Sequence, residues 1–458
     1  GGRAMSRLPY ALPTITPHGQ GLVNQLGRLR EERVQADIDG VPVARLTAEY
    51  GSPLFVYSER TLRDKARQMR AAFAAAYPRV RLLWSYKTNY LDAICGLLHQ
   101  EGWDAEVVSE LEYAMARRLG VPGPRIVCNG AHKPRRWLER AAAEGAFVQL
   151  DHFDELLLLE DVARARGQRL AVGIRVNLRA PSLGGSWERF GFNLESGEAL
   201  DAALRVAQSP WLQLRGVHCH LGTFIPIPAA YAESARALCR LLHRIEERTG
   251  EPIEKLNLGG GFPSGNTLVG AAGEAAADLT IEDFAAAIGD ELRARLAGRA
   301  ELPELLLESG RALVDDAGSL LATVVGTRRQ PGGVRGLVLD AGLNILYTAH
   351  WYRHRMVAAQ EVTGPEVPTA VFGPLCMNID ALAGPIALPP LTVGQQLVIS
   401  CVGAYNNTQW MQFSQLRPAV VMVAADGSVE LVRRAETIDD VKGPESLPAR
   451  YAPPPYAD

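Results

Sequence analysis

The chain has 458 residues with 48 basic and 51 acidic side chains, and its net charge of -3 argues against an electrostatic nucleic-acid footprint. No apolar run reaches the roughly 20 residues that span a bilayer. The six cysteines, Cys95, Cys128, Cys219, Cys239, Cys376 and Cys401, are scattered without a C-x-x-C pair, which speaks against a disulfide framework or a zinc site. The expectation is a soluble cytoplasmic enzyme of two domains, or of one large α/β domain with an appendage, with no metal, nucleic-acid or membrane partner. Residues 1–4, ahead of Met5, read as vector-derived, and residues 9–21 are too polar and proline-rich for a signal peptide.

In chain order, residues 22–55 hold short β-prone runs that suggest a first piece of a β domain. Residues 81–86 form a short, apolar, aromatic-rich run and predict a buried strand. Leu91, Ile94, Cys95 and Leu98 then recur at i, i+3, i+4 and i+7, one face of a helix. Lys87 therefore stands at a strand-to-helix corner, either snorkelling at the surface or serving a site. Further strands are predicted over residues 105–108, 125–128, 147–150, 170–176, 214–219, 255–258 and 304–307. Helices are predicted over 110–119, 134–144, 154–166, 198–208, 229–248 and 281–296, the last opened by Thr280 with Asp283 three residues on.

Eight strand–helix repeats over about 230 residues match a closed parallel (β/α)8 barrel of the TIM type. An open doubly wound sheet is the alternative, although it would leave edges. After Glu308 the runs at 319–325, 336–340, 397–402 and 419–423 turn β-rich. The predicted division is 22–55 and 319–450 for a β domain that the chain enters at both ends, with the barrel at 56–318.

Lys87, Asn129, Asp151, Arg175, His220, Gly259, Gly260, Gly261 and Glu308 all fall at or just after predicted strand ends, and Glu106 lies within the second strand. One end of a barrel would collect them, and that end carries the active site. "LNLGGGFPSG" is either a turn or a backbone cradle for phosphate, and it lacks the G-x-G-x-x-G spacing of dinucleotide binders. A strand-end lysine can form a Schiff base. Glu308 can hold a proton on a pyridine nitrogen, His220 offers a flat ring, and Arg311 can pair with phosphate. Pyridoxal 5'-phosphate requires such a set.

The motifs "SYKTN", "AEVVSELE", "IVCNGAHK", "RVN", "ERFGF", "GVHCHLGT", "LNLGGGF", "LESGRALV", "GPLCMNID" and "GAY" stand in this order along the chain. Together they resemble the landmarks of the fold-type III pyridoxal-phosphate decarboxylases, the ornithine, arginine and diaminopimelate enzymes with an alanine-racemase-like barrel. The resemblance implies that Lys87 carries the cofactor, that His220 stacks on its ring, and that Glu308 meets the pyridine nitrogen. It implies phosphate contacts from Thr223, Gly259, Gly260, Gly261, Arg311 and Tyr405. It also makes Arg175 a cofactor neighbour, and Glu106 and Glu112 the acceptors of the displaced lysine ammonium. Cys376 matches a thiol that reaches in from the partner subunit to protonate the carbanion, so a homodimer with shared active sites is implied.

Departures from the family concern substrate. Met377 stands where the relatives place an acidic residue that pairs with a distal ammonium, and a thioether cannot balance a buried cation. "DAGLN" is followed by Thr348 where diaminopimelate enzymes have an arginine, while Tyr352 is kept. Ser309 replaces a proline and changes only a turn. Tyr352, Met377, Asp340 and Asp380 are the candidate substrate contacts. "HWYRHR" is either a solvated charged segment or a partly cationic pocket, in which Arg353, His354 and Arg355 would meet a distal carboxylate. The expectation is an amino-acid decarboxylase for a substrate with a neutral or anionic distal end. The alternatives are a conventional diaminopimelate decarboxylase, a non-catalytic regulatory relative, and a racemase-like activity that would need a second base.

Overall fold

The structure, a computed structural model, describes residues 22–23, 29–30, 33–269 and 279–456. The expectations for residues 1–4 and 9–21 lie outside the described residues, as do those for 24–28 and 31–32 of the N-terminal segment. Eight strands build the barrel: β1 Val80–Ser85, β2 Asp104–Val107, β3 Ile126–Cys128, β4 Phe147–Leu150, β5 Leu170–Asn177, β6 Leu212–His218, β7 Lys255–Asn257 and β8 Glu304–Ser309. Each pairs in parallel with the next, and β8 returns to β1, so the sheet closes. Closure decides against the open sheet, because no edge is left to protect.

The strands are short and buried on both sides, as β2, β3 and β4 show throughout. That burial explains why they read as continuous apolar runs rather than alternating ones. The helices around the barrel bury one stripe each. Leu62, Ala66, Met69 and Phe73 do so on Glu59–Ala76, and Leu238, Leu241, Leu242 and Ile245 on Pro228–Thr249. Thr280 and Asp283 form the expected capping box at the start of Ile281–Arg295.

Beyond the barrel, Gly318–Arg329 pairs antiparallel with Leu54–Ser58, with Gln396–Ser400 and with Arg335–Leu339. Val420–Val423 lies parallel to Leu54–Ser58, which places the N-terminal strand inside the C-terminal sheet. Ile38, Val41, Val43 and Leu46 share a core cluster with Leu54, Val56, Leu321, Val398 and Val421, so both ends of the chain are buried together. Leu22–Val23 and Leu29–Arg30 pair with one another. A hairpin of Val367–Phe372 and Ala381–Leu388 was not foreseen from sequence. Its prolines and small residues weaken the strand signal. The loop it presents, residues 373–380, carries Cys376 and Met377.

Candidate active site

Strand β1 stops at Ser85, one residue before the sequence suggests, and Tyr86–Thr88 form a 3-10 turn. The cause is a loop of the β domain: Thr408 Oγ1 donates to the Lys87 carbonyl at 2.8 Å and the Tyr405 N–H to the Thr88 carbonyl at 2.9 Å. These bonds use backbone acceptors that a longer strand would need for its ladder. Lys87 is thereby turned into the barrel mouth. Its Nζ donates to Ser85 Oγ at 2.8 Å and to Glu106 Oε2 at 3.3 Å, while its side chain stays 35% exposed. Burial works against the ammonium, but Glu106, Tyr405 and Glu308 outweigh it and raise the Lys87 pKa.

Across the mouth, Glu308 lies at the end of β8, 5% exposed. Its Oε1 accepts from Asn257 Nδ2 at 2.7 Å, Asn129 Nδ2 at 2.8 Å and Gln149 Nε2 at 3.2 Å, and its Oε2 accepts from His218 Nε2 at 3.1 Å. Burial opposes the charge, yet His218, Lys87 and Asn129 together hold the carboxyl below its ordinary range. Asn129 Nδ2 also donates to Glu106 Oε1 at 3.0 Å, so one amide links the two carboxylates. Glu112 behaves differently: burial and repulsion from Glu106 push it up to about 7.

His220 follows β6, and its Nδ1 accepts the Gly260 N–H at 3.2 Å. Burial, Arg175 and Lys87 hold its pKa well below the usual value, so the ring is neutral near pH 7. Trp187 packs against it with ring centroids 5.6 Å apart. Arg175 lies over Phe190 at 4.7 Å. A side chain at Gly260 would meet the Glu308 carbonyl at 2.0 Å, and one at Gly261 the Gly222 carbonyl at 2.3 Å, so only glycine lets this loop close on the barrel.

Arg311 is buried and bonds Asp315 Oδ2 at 3.4 Å. It is surrounded by Tyr352 at 4.4 Å, Tyr405 at 5.1 Å and Phe224 at 6.0 Å. Tyr405 and Phe224 both hold left-handed backbone, at φ 62° and 50°, which costs about 1–3 kcal/mol each and marks an over-determined region. Thr223 is exposed beside the Tyr352 hydroxyl.

The sequence profile described as "Pyridoxal-dependent decarboxylase, pyridoxal binding domain" matches residues 60–315. The diaminopimelate decarboxylase of Actinosynnema pretiosum subsp. auranticum is 32% identical over 428 residues, covering 90% of this chain and 93% of its own. That of Bacillus subtilis (strain 168) is 30% identical over 441 residues, covering 93% and 96%. The chain belongs to the pyridoxal-dependent decarboxylases. A crystal structure of the diaminopimelate decarboxylase from M. jannaschii in co-complex with L-lysine superposes with a TM-score of 0.83 at 27% identity, over 91% of this chain and 97% of that one.

The decarboxylase uses pyridoxal phosphate, and the donor set fits it. The mouth offers one amine, a neutral flat ring, a buried ionised carboxylate and a glycine loop that side chains would block. No helix among the described residues is long and apolar enough to cross a membrane, and no His/Cys/Asp/Glu cluster there could hold a metal.

Several of the sequence-predicted residues have partners that the sequence does not announce. Asp380 is buried, and its carboxylate accepts the N–H groups of Leu343 and Leu375, both at 2.8 Å, so it ties down the Cys376 loop. Asp340 accepts from Ser52 Oγ at 2.6 Å and the Thr323 N–H at 2.8 Å inside the β domain. His354 is buried against Thr348 Oγ1 and the Ser400 carbonyl, and burial lowers it to about 4, so it is no cation for a distal carboxylate. "HWYRHR" accordingly splits: Trp351 and Arg353 are exposed, Tyr352 and His354 buried, and Arg355 half-buried beside Gln35.

Cys376 is exposed and Met377 half-buried, and among the described residues no hydrogen bond joins either side chain to Lys87 or its partners. His218, Gln149 and Asn257 were missed as site residues. Each lies two positions before a recognised one (His220, Asp151, Gly259), and period-two alternation along a strand would have found them.

Proposed function

We propose that this decarboxylase removes the α-carboxylate of an amino acid, or an amino-acid derivative, whose distal end carries no free ammonium. One observation carries the reading. The only carboxylate of loop 373–380 is Asp380, which is buried and held by two backbone N–H groups, one on each oxygen. Met377 beside it offers a soft apolar surface, and an unpaired ammonium there would cost several kcal/mol. A second reading, diaminopimelate decarboxylation, is favoured by the activity named for the relatives and by the retained Tyr352. Carbon dioxide release separates the two. Ornithine, lysine and meso-diaminopimelate should turn over poorly beside amino acids with neutral or acidic distal groups, and efficient turnover of meso-diaminopimelate would establish the second reading.

Bound pyridoxal phosphate supplies an electron sink for the bond to the departing carboxylate. Lys87 would hold the cofactor covalently, and Gly259, Gly260, Gly261, Thr223, Arg311 and Tyr405 would surround its phosphate. Glu308, held ionised, would keep a proton on the ring nitrogen, and neutral His220 would lie against the ring face without competing for that charge. Glu106, 3.3 Å from Nζ, would pair with the Lys87 ammonium whenever the lysine is not bound to cofactor. Ser85 Oγ, 2.5 Å from Glu106 and 2.8 Å from Nζ, can pass a proton between them.

Cys376 would protonate the product carbanion in the partner's site, which makes the working unit a homodimer with shared active sites. The thiol's exposure within one chain supports this. Mixing inactive Lys87→Ala and Cys376→Ala subunits should restore activity through one intact site; no recovery would reject the shared site. A cytoplasmic location fits the scattered unpaired thiols, and finding the enzyme outside the cytoplasm by fractionation would reject it.

A further inference from the structure

The side-chain amides of Asn129, Gln149 and Asn257 come from the ends of three separate segments, β3, β4 and β7, yet their N–H groups converge on one atom. They reach Glu308 Oε1 at 2.8, 3.2 and 2.7 Å. All three side chains are buried. The amides also orient one another, because Gln149 Nε2 donates to Asn129 Oδ1 at 2.7 Å and Asn257 Oδ1 accepts the Gly259 N–H at 2.8 Å. An ionised carboxylate has about four lone-pair positions, two on each oxygen. Three donors more than fill Oε1. His218 takes one position on Oε2 at 3.1 Å and leaves a single acceptor direction open. His218 Nδ1 is buried and has no partner among the described residues, so the ring's one hydrogen bond is the one to Glu308 Oε2.

We propose that Asn129, Gln149 and Asn257 form an amide clamp on the inner oxygen of Glu308, so that the carboxylate stays ionised and presents one open acceptor on Oε2 to a protonated ring nitrogen. They are positioning residues, acting through Glu308. The inference rests on the reading of Glu308 as the partner of the pyridine nitrogen. Asn129 extends the clamp, because the same Nδ2 donates to Glu106 at 3.0 Å and so holds the carboxylate near Lys87 in register with the one under the ring. The charged and titratable groups facing Glu308 are Lys87 from the turn after β1, Glu106 from β2, Arg175 from β5, and His218, Cys219 and His220 from β6 and its end. Each is unchanged in the variants below.

The test follows the ring nitrogen itself. Holoenzyme is reconstituted with pyridoxal phosphate labelled with 15N in the ring, and the nitrogen resonance is titrated with pH in wild type, Gln149→Met, Asn257→Leu and Glu308→Gln. Gln149→Met is the cleaner variant, since it keeps the side-chain length and touches no glycine of the loop. Loss of one clamp donor makes the Glu308 carboxylate more basic, so the shared proton should move from the ring nitrogen toward Oε2. The nitrogen resonance near pH 7 should then shift toward its unprotonated position, and cofactor binding should weaken about tenfold. Glu308→Gln should show the nitrogen unprotonated throughout. The clamp is overturned if Gln149→Met titrates like wild type, even if Asn257→Leu does not, because Asn257 also serves the glycine loop. If Glu308→Gln keeps a protonated nitrogen, the underlying role of Glu308 fails, and the clamp falls with it.

Discussion

Replacing Asp380 with asparagine separates loop fixation from substrate contact at a candidate substrate residue. The wild-type carboxylate accepts two backbone N–H groups, from Leu343 and Leu375, at 2.8 Å each. Hydrogen bonds to a charged group contribute about 1.5–3 kcal/mol each. Asparagine keeps one acceptor and turns an NH2 toward the other N–H, so one bond is lost and two donors face each other. The side chain has no room to turn away, since Gly342 and Gly373 pack directly on it. A loss of about 2–3 kcal/mol in holding loop 373–380 corresponds to a decrease of about 30- to 150-fold. It should appear in kcat if the loop delivers Cys376 as proposed, and KM should change little. Steady-state carbon dioxide release reads both constants, and circular dichroism melts report any loss of the fold. A variant with wild-type kcat and a raised KM would refute the reasoning and restore Asp380 as a substrate contact.

Met377→Asp should raise kcat/KM for ornithine or lysine by about tenfold, the scale of one charge-assisted hydrogen bond. An unchanged substrate ranking in competition assays would remove Met377 from the specificity argument. Glu112, raised from 4.5 to about 7, holds a proton in the folded chain that the unfolded chain releases. Its contribution is therefore full below about pH 4.5 and lost as pH rises through about 7, a span of about 3 kcal/mol. In Glu112→Gln, stability measured by urea denaturation of cofactor-stripped protein should vary less between pH 5 and 8 than in wild type. Equal variation in both proteins would contradict this.

The barrel was legible because its strands are short runs of buried apolar residues and its helices keep one apolar stripe, so periodicity alone separated them. Lys87, Glu308 and the three glycines stood out because strand ends of a barrel share one mouth. What stayed hidden depends on contacts distant in sequence. Nothing near Asp380 announces that Leu343 will donate to it, and nothing in "HWYRHR" shows that His354 is enclosed by Thr348 and Ser400. The hairpin that carries Cys376 escaped notice because Pro368, Pro385 and several alanines dilute its β-propensity. His218 and Asn257 were overlooked for another reason: their neighbours His220 and Gly259 already accounted for the motif.

The most direct test of the central claim is to fix the cofactor where it sits. Holoenzyme is reduced with borohydride, digested, and each lysine-containing peptide is weighed by mass spectrometry. Pyridoxyl mass should appear on the peptide containing Lys87 and on no other, and Lys87→Ala protein should give no adduct. An adduct on a different lysine in wild type, or one that persists in Lys87→Ala, would contradict the site described above.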